Sequence, residues 1–146
     1  MRVAVFLADA AQSTPDGKAS ALGLGWTFTA SPTPPMTLVV LIDVDWSETN
    51  QDIPLTIDLV DTDGAQVMFD VAGVGPQSVS INFTVHVGRP PGHPQGVPIR
   101  STQTINLAPM PLPAGQRFGW RVSMGNEIDM PWTATFGTRP SDPVLG

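Results

Sequence analysis

Four aspartates in two Asp-x-Asp pairs, Asp43/Asp45 and Asp61/Asp63, come nearest to a metal-binding pattern in this 146-residue chain. Carboxylates spaced two apart at the ends of neighbouring strands can supply the oxygen donors that Ca²⁺ takes. A local reading is simpler. Asp61-Thr-Asp-Gly64 has the composition of a turn whose aspartate bonds its own backbone, and Asp43 and Asp45 end an apolar run facing water. No third acidic cluster stands beside the pairs, so no metal and no other cofactor is expected.

Two histidines, His86 and His93, are the other candidates, since imidazole is the usual general base near neutral pH. Neither comes with a nucleophile: no serine sits in a G-x-S-x-G elbow, and cysteine is absent. His86 falls on a polar position of an alternating run and His93 in a Pro-rich loop, where structural or solvated roles suffice. There is no glycine-rich phosphate loop, zinc spacing or pair of catalytic carboxylates. The chain is expected not to be an enzyme.

Net charge is −6, and the seven basic residues are scattered, which argues against a nucleic-acid surface. Arg117 and Arg121 share one strand face, where pairing with neighbouring acids is the expectation. Trp26, Trp46, Trp120 and Trp132 would stack on a sugar if two lay exposed together. All four fall on apolar faces, which points to core packing.

The elements that must position these groups are strands. Phe118, Trp120, Val122 and Met124 alternate with polar residues and Gly119 after the turn Leu112–Gly115. Gly125-Asn126 suits a reversal, and Trp132, Ala134 and Phe136 form the returning strand. Val79, Ile81, Phe83, Val85 and Val87 give the cleanest alternation. Further strands are expected at Arg2–Ala8, Leu22–Phe28, Met36–Trp46, Leu55–Leu59, Gln66–Phe69 and Ile99–Leu107. Thr14-Pro-Asp-Gly17 and Asp61-Thr-Asp-Gly64 read as turns.

Sixteen Pro and fourteen Gly rule out long helices, while charged residues make up only 14% of the chain. Gly88–Pro98 holds four Pro and three Gly, so it should run as an extended connection. The apolar run Leu38–Ile42 is far short of a membrane span of about 20 residues, so no membrane insertion is expected. The start, MRVAVFLADAA, faintly resembles a signal peptide, but Asp9 interrupts it and a first strand fits better. One domain spanning 1–146 is expected: an all-β antiparallel β-sandwich of about eight or nine strands, Greek-key-like, with little or no helix.

Three segments carry a resemblance: FLADAAQSTPDGKASALGLGW at 6–26, VGRPPGHPQGVPI at 87–99 and LPAGQRFGWRV at 112–122. They resemble a family of small actinobacterial proteins without established function. The resemblance brings no catalytic residues. The last segment also looks like the penultimate hairpin of many β-sandwich modules, which speaks to fold alone.

The functional expectation is a structural, interaction-type sandwich in a larger protein assembly. A phage virion component, such as a capsid-decoration or tail protein, has this character. The alternative is a soluble binding module for a carbohydrate or small ligand; a third reading, a Ca²⁺-dependent membrane-binding domain, rests on the aspartates alone. Protein partners or a homo-oligomer are implied, in a virion or host cytoplasm rather than by secretion. Phe6, Val39 and Leu41 lie on strand faces opposite the expected core and should meet water unless a partner, or the segments 30–35 or 88–98, cover them. They form the expected interface with Arg89, Pro90, Pro91 and His93 of the Pro-rich loop, since long ordered loops often bind.

Overall fold

A computed structural model describes residues 1–124 and 132–141. Strands follow as β1 (Arg2–Ala8), β2 (Ala10–Ser13), β3 (Ala19–Leu22), β4 (Phe28–Thr29), β5 (Met36–Val44) and β6 (Asp52–Val60). Then come β7 (Met68–Val71), β8 (Gly75–Ser78), β9 (Ser80–His86), β10 (Ile99–Leu107), β11 (Arg117–Ser123) and β12 (Thr133–Thr138). Helix among the described residues is one 3₁₀ turn, Trp46–Glu48. None is long and apolar enough to cross a membrane.

Two antiparallel-dominated sheets pack face to face. One has three strands in the order β1-β5-β10; the other has five, β4-β12-β11-β6-β9, with β4 parallel to β12. The period of two assigns the faces. Met36, Leu38, Val40, Ile42 and Val44 of β5 point inward against Leu55, Ile57, Leu59, Trp120 and Phe136 of the larger sheet. The inward positions read from the alternation join this cluster. Val85, Phe118, Trp120 and Phe136 are buried, while Val79, Ile81, Phe83 and Trp132 sit half-buried at its margin. Pro54 lies within β6 at a position past the end of its β11 pairing, where a missing N–H costs that ladder nothing.

Two hairpins stand outside the sheets. The Thr14–Gly17 turn joins β2 to β3, with Gly17 at φ 83°. The β2–β3 hairpin folds over the outer face of β5 and β10, where Thr102 Oγ1 donates to the Gly17 carbonyl at 2.6 Å. The second hairpin, β7–β8, follows the Asp61–Gly64 turn. There Asp61 Oδ1 accepts the N–H groups of Asp63 and Ala65 at 2.9 and 3.0 Å.

The strand expected over Leu22–Phe28 does not form as one element. Gly23 and Gly25 adopt φ of 62° and 91°, a conformation that breaks the pleat. A Cβ at Gly23 would collide with Asp9 Oδ2, so a larger residue there must push that side chain aside. Leu22, Leu24 and Phe28 are exposed, and Trp26 alone turns in, edge-on to Phe136 at 6.0 Å. The expected Pro-rich corner at 108–115 carries core residues, because Met110 and Leu112 are buried. Thr33 clips the two Pro-rich segments together: its N–H donates to Met110 O at 3.0 Å, and its Oγ1 accepts Met110 N–H at 2.9 Å. The turn expected at Gly125-Asn126 lies outside the described residues.

Candidate functional site

The aspartates do not converge. Asp43 is held by Arg100, whose hydrogen bond pulls its carboxyl below the usual range, and Asp61 is spent on its own turn. No group of three or more metal-ligating side chains gathers among the described residues. The acid pairing expected of Arg117 and Arg121 is absent among the described residues, and Arg121 instead donates to Gly64 O at 3.2 Å. The tryptophans divide: Trp120 is fully buried, while Trp26, Trp46 and Trp132 are half-buried and at separate places.

Both histidines border one cleft. It has a volume of about 670 Å³ and lies between the end of β9, the start of β10, the Thr14–Gly17 turn and the 88–93 stretch. His86 Nδ1 lies 3.0 Å from Asp52 Oδ1, and His93 Nε2 donates to Val97 O at 2.7 Å. Each imidazole therefore has one nitrogen engaged and one left for a ligand. Ser101 and Gln103 add polar groups from the inward face of β10, opposite Ile42 and Val40. Sequence reasoning missed them, although IRSTQTINL shows the signal: its inward positions read Ile, Ser, Gln, Ile, Leu. Hydroxyl and amide hydrogen bonding is what the cleft offers; among the described residues neither imidazole in it is hydrogen-bonded to a hydroxyl.

The expected interface residues separate into two places. On the outer face of the three-stranded sheet, Phe6 is 38% exposed, Leu41 is half-buried and Val39 is only 3% exposed. Val39 departs from the expected exposure: it is buried within the chain, on the face where the β2–β3 hairpin contacts β5. Arg89, Pro90, Pro91 and His93 lie in the 88–98 connection between β9 and β10. Arg89 anchors that loop, its guanidinium carbon 4.3 Å from the Trp46 ring centroid and its Nε donating to Thr49 Oγ1 at 2.6 Å. Pro90 and Pro91 are exposed on it, and His93 is half-buried.

Two surface features escaped the alternation. Hairpin β7–β8 is paired with neither sheet and presents Met68, Val71 and Val74 at 57, 39 and 65% exposure. No periodic signal marks this short run among Asp, Ala and Gly. The second feature is the free edge of β9, the last strand of the five-stranded sheet.

Residues 3–132 match the model of a family described as a family of unknown function (DUF6941), and the chain belongs to that family. No curated protein and no solved structure matches the chain.

Proposed function

We propose, from membership of a family of unknown function and from the surface described above, that this chain is a non-enzymatic sandwich working by protein–protein contact within a larger assembly. One observation carries the reading: the β7–β8 hairpin leaves Met68, Val71 and Val74 exposed to solvent while Val67 and Phe69 beside them pack on the core. Exposed apolar side chains on a surface hairpin lower the free energy when a partner covers them. The chemistry-bearing residues support the same reading by their engagement, with Asp43 on Arg100 and Asp61 in its turn. A virion position, as capsid-decoration or tail protein, is the narrower form, supported by the low charge and Pro-rich connections. The test is native mass measurement of the protein from its own source, beside a Met68→Asp/Val74→Asp variant of it. A complex lost in the variant, with the melting temperature held, is expected. A wild-type protein that runs alone at the mass of a single chain sinks the reading.

A second reading, a soluble module for a carbohydrate or small polar ligand, is favoured by the cleft that gathers His86, His93, Ser101 and Gln103. Titration of neutral sugars against the His86 and His93 ring resonances decides it; resonances that stay fixed throughout reject it.

A further inference from the structure

An open sheet edge exposes a row of N–H and C=O groups that another strand can pair with, and folded proteins usually cover or interrupt it. Three of the four edges here are managed. Along β1, Leu7 O accepts the N–H of Gly25 at 2.7 Å. On β10 the Gly17 turn sits so close that a Cβ there would lie 2.8 Å from Arg100 O. Strand β4 is two residues long.

Strand β9 has none of these devices among the described residues. Its seven residues, Ser-Ile-Asn-Phe-Thr-Val-His, include no Lys, Arg, Asp, Glu, Pro or Gly. Its orientation is set by the ladder. Val79 O accepts from Leu59 N on the β6 side at 3.2 Å. Alternation along an antiparallel pair then turns the N–H and C=O groups of Ser80, Asn82, Thr84 and His86 to the open side. The inward side chains at this edge, Ile81 and Phe83, are half-buried, because the three-stranded sheet does not reach fully across the five-stranded one.

We infer that β9 is a self-pairing edge: two copies of this chain join β9 to β9, antiparallel, about a two-fold axis through Phe83. The inference goes beyond the association reading above: it adds a second contact surface and makes this chain its own partner there. The sequence about Phe83 is self-complementary. Asn82 meets the second copy's Thr84 and Ser80 its His86, as hydrogen-bonded pairs whose outward side chains are uncharged or, at His86, tied to Asp52. Phe83 meets Phe83 as a non-hydrogen-bonded pair, whose Cα atoms approach to about 4.5 Å and whose rings therefore cover each other. Two five-stranded sheets become one continuous sheet, and the half-buried rings lose their contact with water. A seven-residue edge buries less than the roughly 1,600 Å² of a standard interface, so the dimer is a weak one. Each copy carries a net charge of −6, and added salt screens that repulsion and strengthens the pairing.

The experiment is sedimentation of the full chain from low-micromolar to near-millimolar protein, with amide hydrogen exchange read at both ends. The mass should double with concentration, and the amides of Asn82 and Thr84 should slow while those of Ile81 and Phe83 hold their rates. Thr84→Pro removes an open-edge N–H opposite Pro54, so the β6 ladder loses no bond. This variant should keep the wild-type melting temperature and remain at single-chain mass. If it fails to fold, the exchange rates of the wild type decide alone. A wild type at single-chain mass throughout, with concentration-independent Asn82 and Thr84 exchange, overturns the inference; so does a folded Thr84→Pro that still doubles in mass. A protein monomeric alone yet complexed when taken from its own source sinks self-pairing and leaves the association reading standing.

Discussion

Arg100 grips Asp43 through two guanidinium nitrogens, at 2.7 and 3.0 Å, across the register that sets the two residues side by side on β10 and β5. Arg2, from the strand on the other side, approaches the same carboxylate at 3.8 Å. This row of the three-stranded sheet is thus closed by charge, where its other rows carry uncharged side chains.

This pair makes stability depend on pH. The folded-state pKa of Asp43 lies below the ordinary carboxylate value, first because of the Arg100 hydrogen bond. Its contribution is therefore complete above the unfolded pKa and disappears as pH falls through the folded one. Asp43→Asn should cost about 1 kcal/mol at pH 7, a modest figure because water reaches the Arg100 side. Urea melts of wild type and variant should differ at pH 7 and converge below about pH 3. Curves that stay equally far apart at both pH values would show that the pair's charge is not what stabilises.

Trp120 is fully buried between the sheets, and Trp120→Ala should cost about 3–5 kcal/mol. Its indole N–H is buried without an acceptor among the described residues, so Trp120→Phe should cost distinctly less. Thermal and urea unfolding of both variants check the order. An alanine variant melting within a degree or two of wild type would mean that β11 faces the other way.

Thr33→Val tests the clip between the Pro-rich segments. The substitution keeps the side-chain volume and leaves the buried Met110 N–H without its acceptor, at a cost of about 1–3 kcal/mol. The Met110 amide should exchange faster in the variant. An unchanged rate would place the stability of this corner in the burial of Met110 and Leu112 alone.

Strands were legible where the period of two ran without interruption. The expected bounds Ile99–Leu107 and Arg2–Ala8 coincide with β10 and β1, and the Asp61–Gly64 turn forms as its composition implies. Leu22–Phe28 misled because its alternating partners are glycines, which remove side chains from one face without committing the backbone to a strand. Alternation also assigned Val39 correctly to the face away from the core. What covers that face depends on where β2–β3 folds, a contact between residues far apart in sequence that no local pattern encodes. The cleft bordered by His86 and His93 was hidden for the same reason: β9, β10 and the Gly17 turn meet there only once the sheets are formed.

The position of β5 at the centre of its sheet has a consequence for synthesis. Its neighbours are β1, made first, and β10, which ends at Leu107. A nascent chain thus carries its most apolar strand with one ladder unsatisfied while the next sixty-odd residues emerge from the ribosome. Until then Val39 and Leu41 lack the β10 strand beside them, and the β2–β3 hairpin is the cover already synthesised. Because that hairpin precedes β5 in the chain, the cover it gives the outer face does not wait for β10.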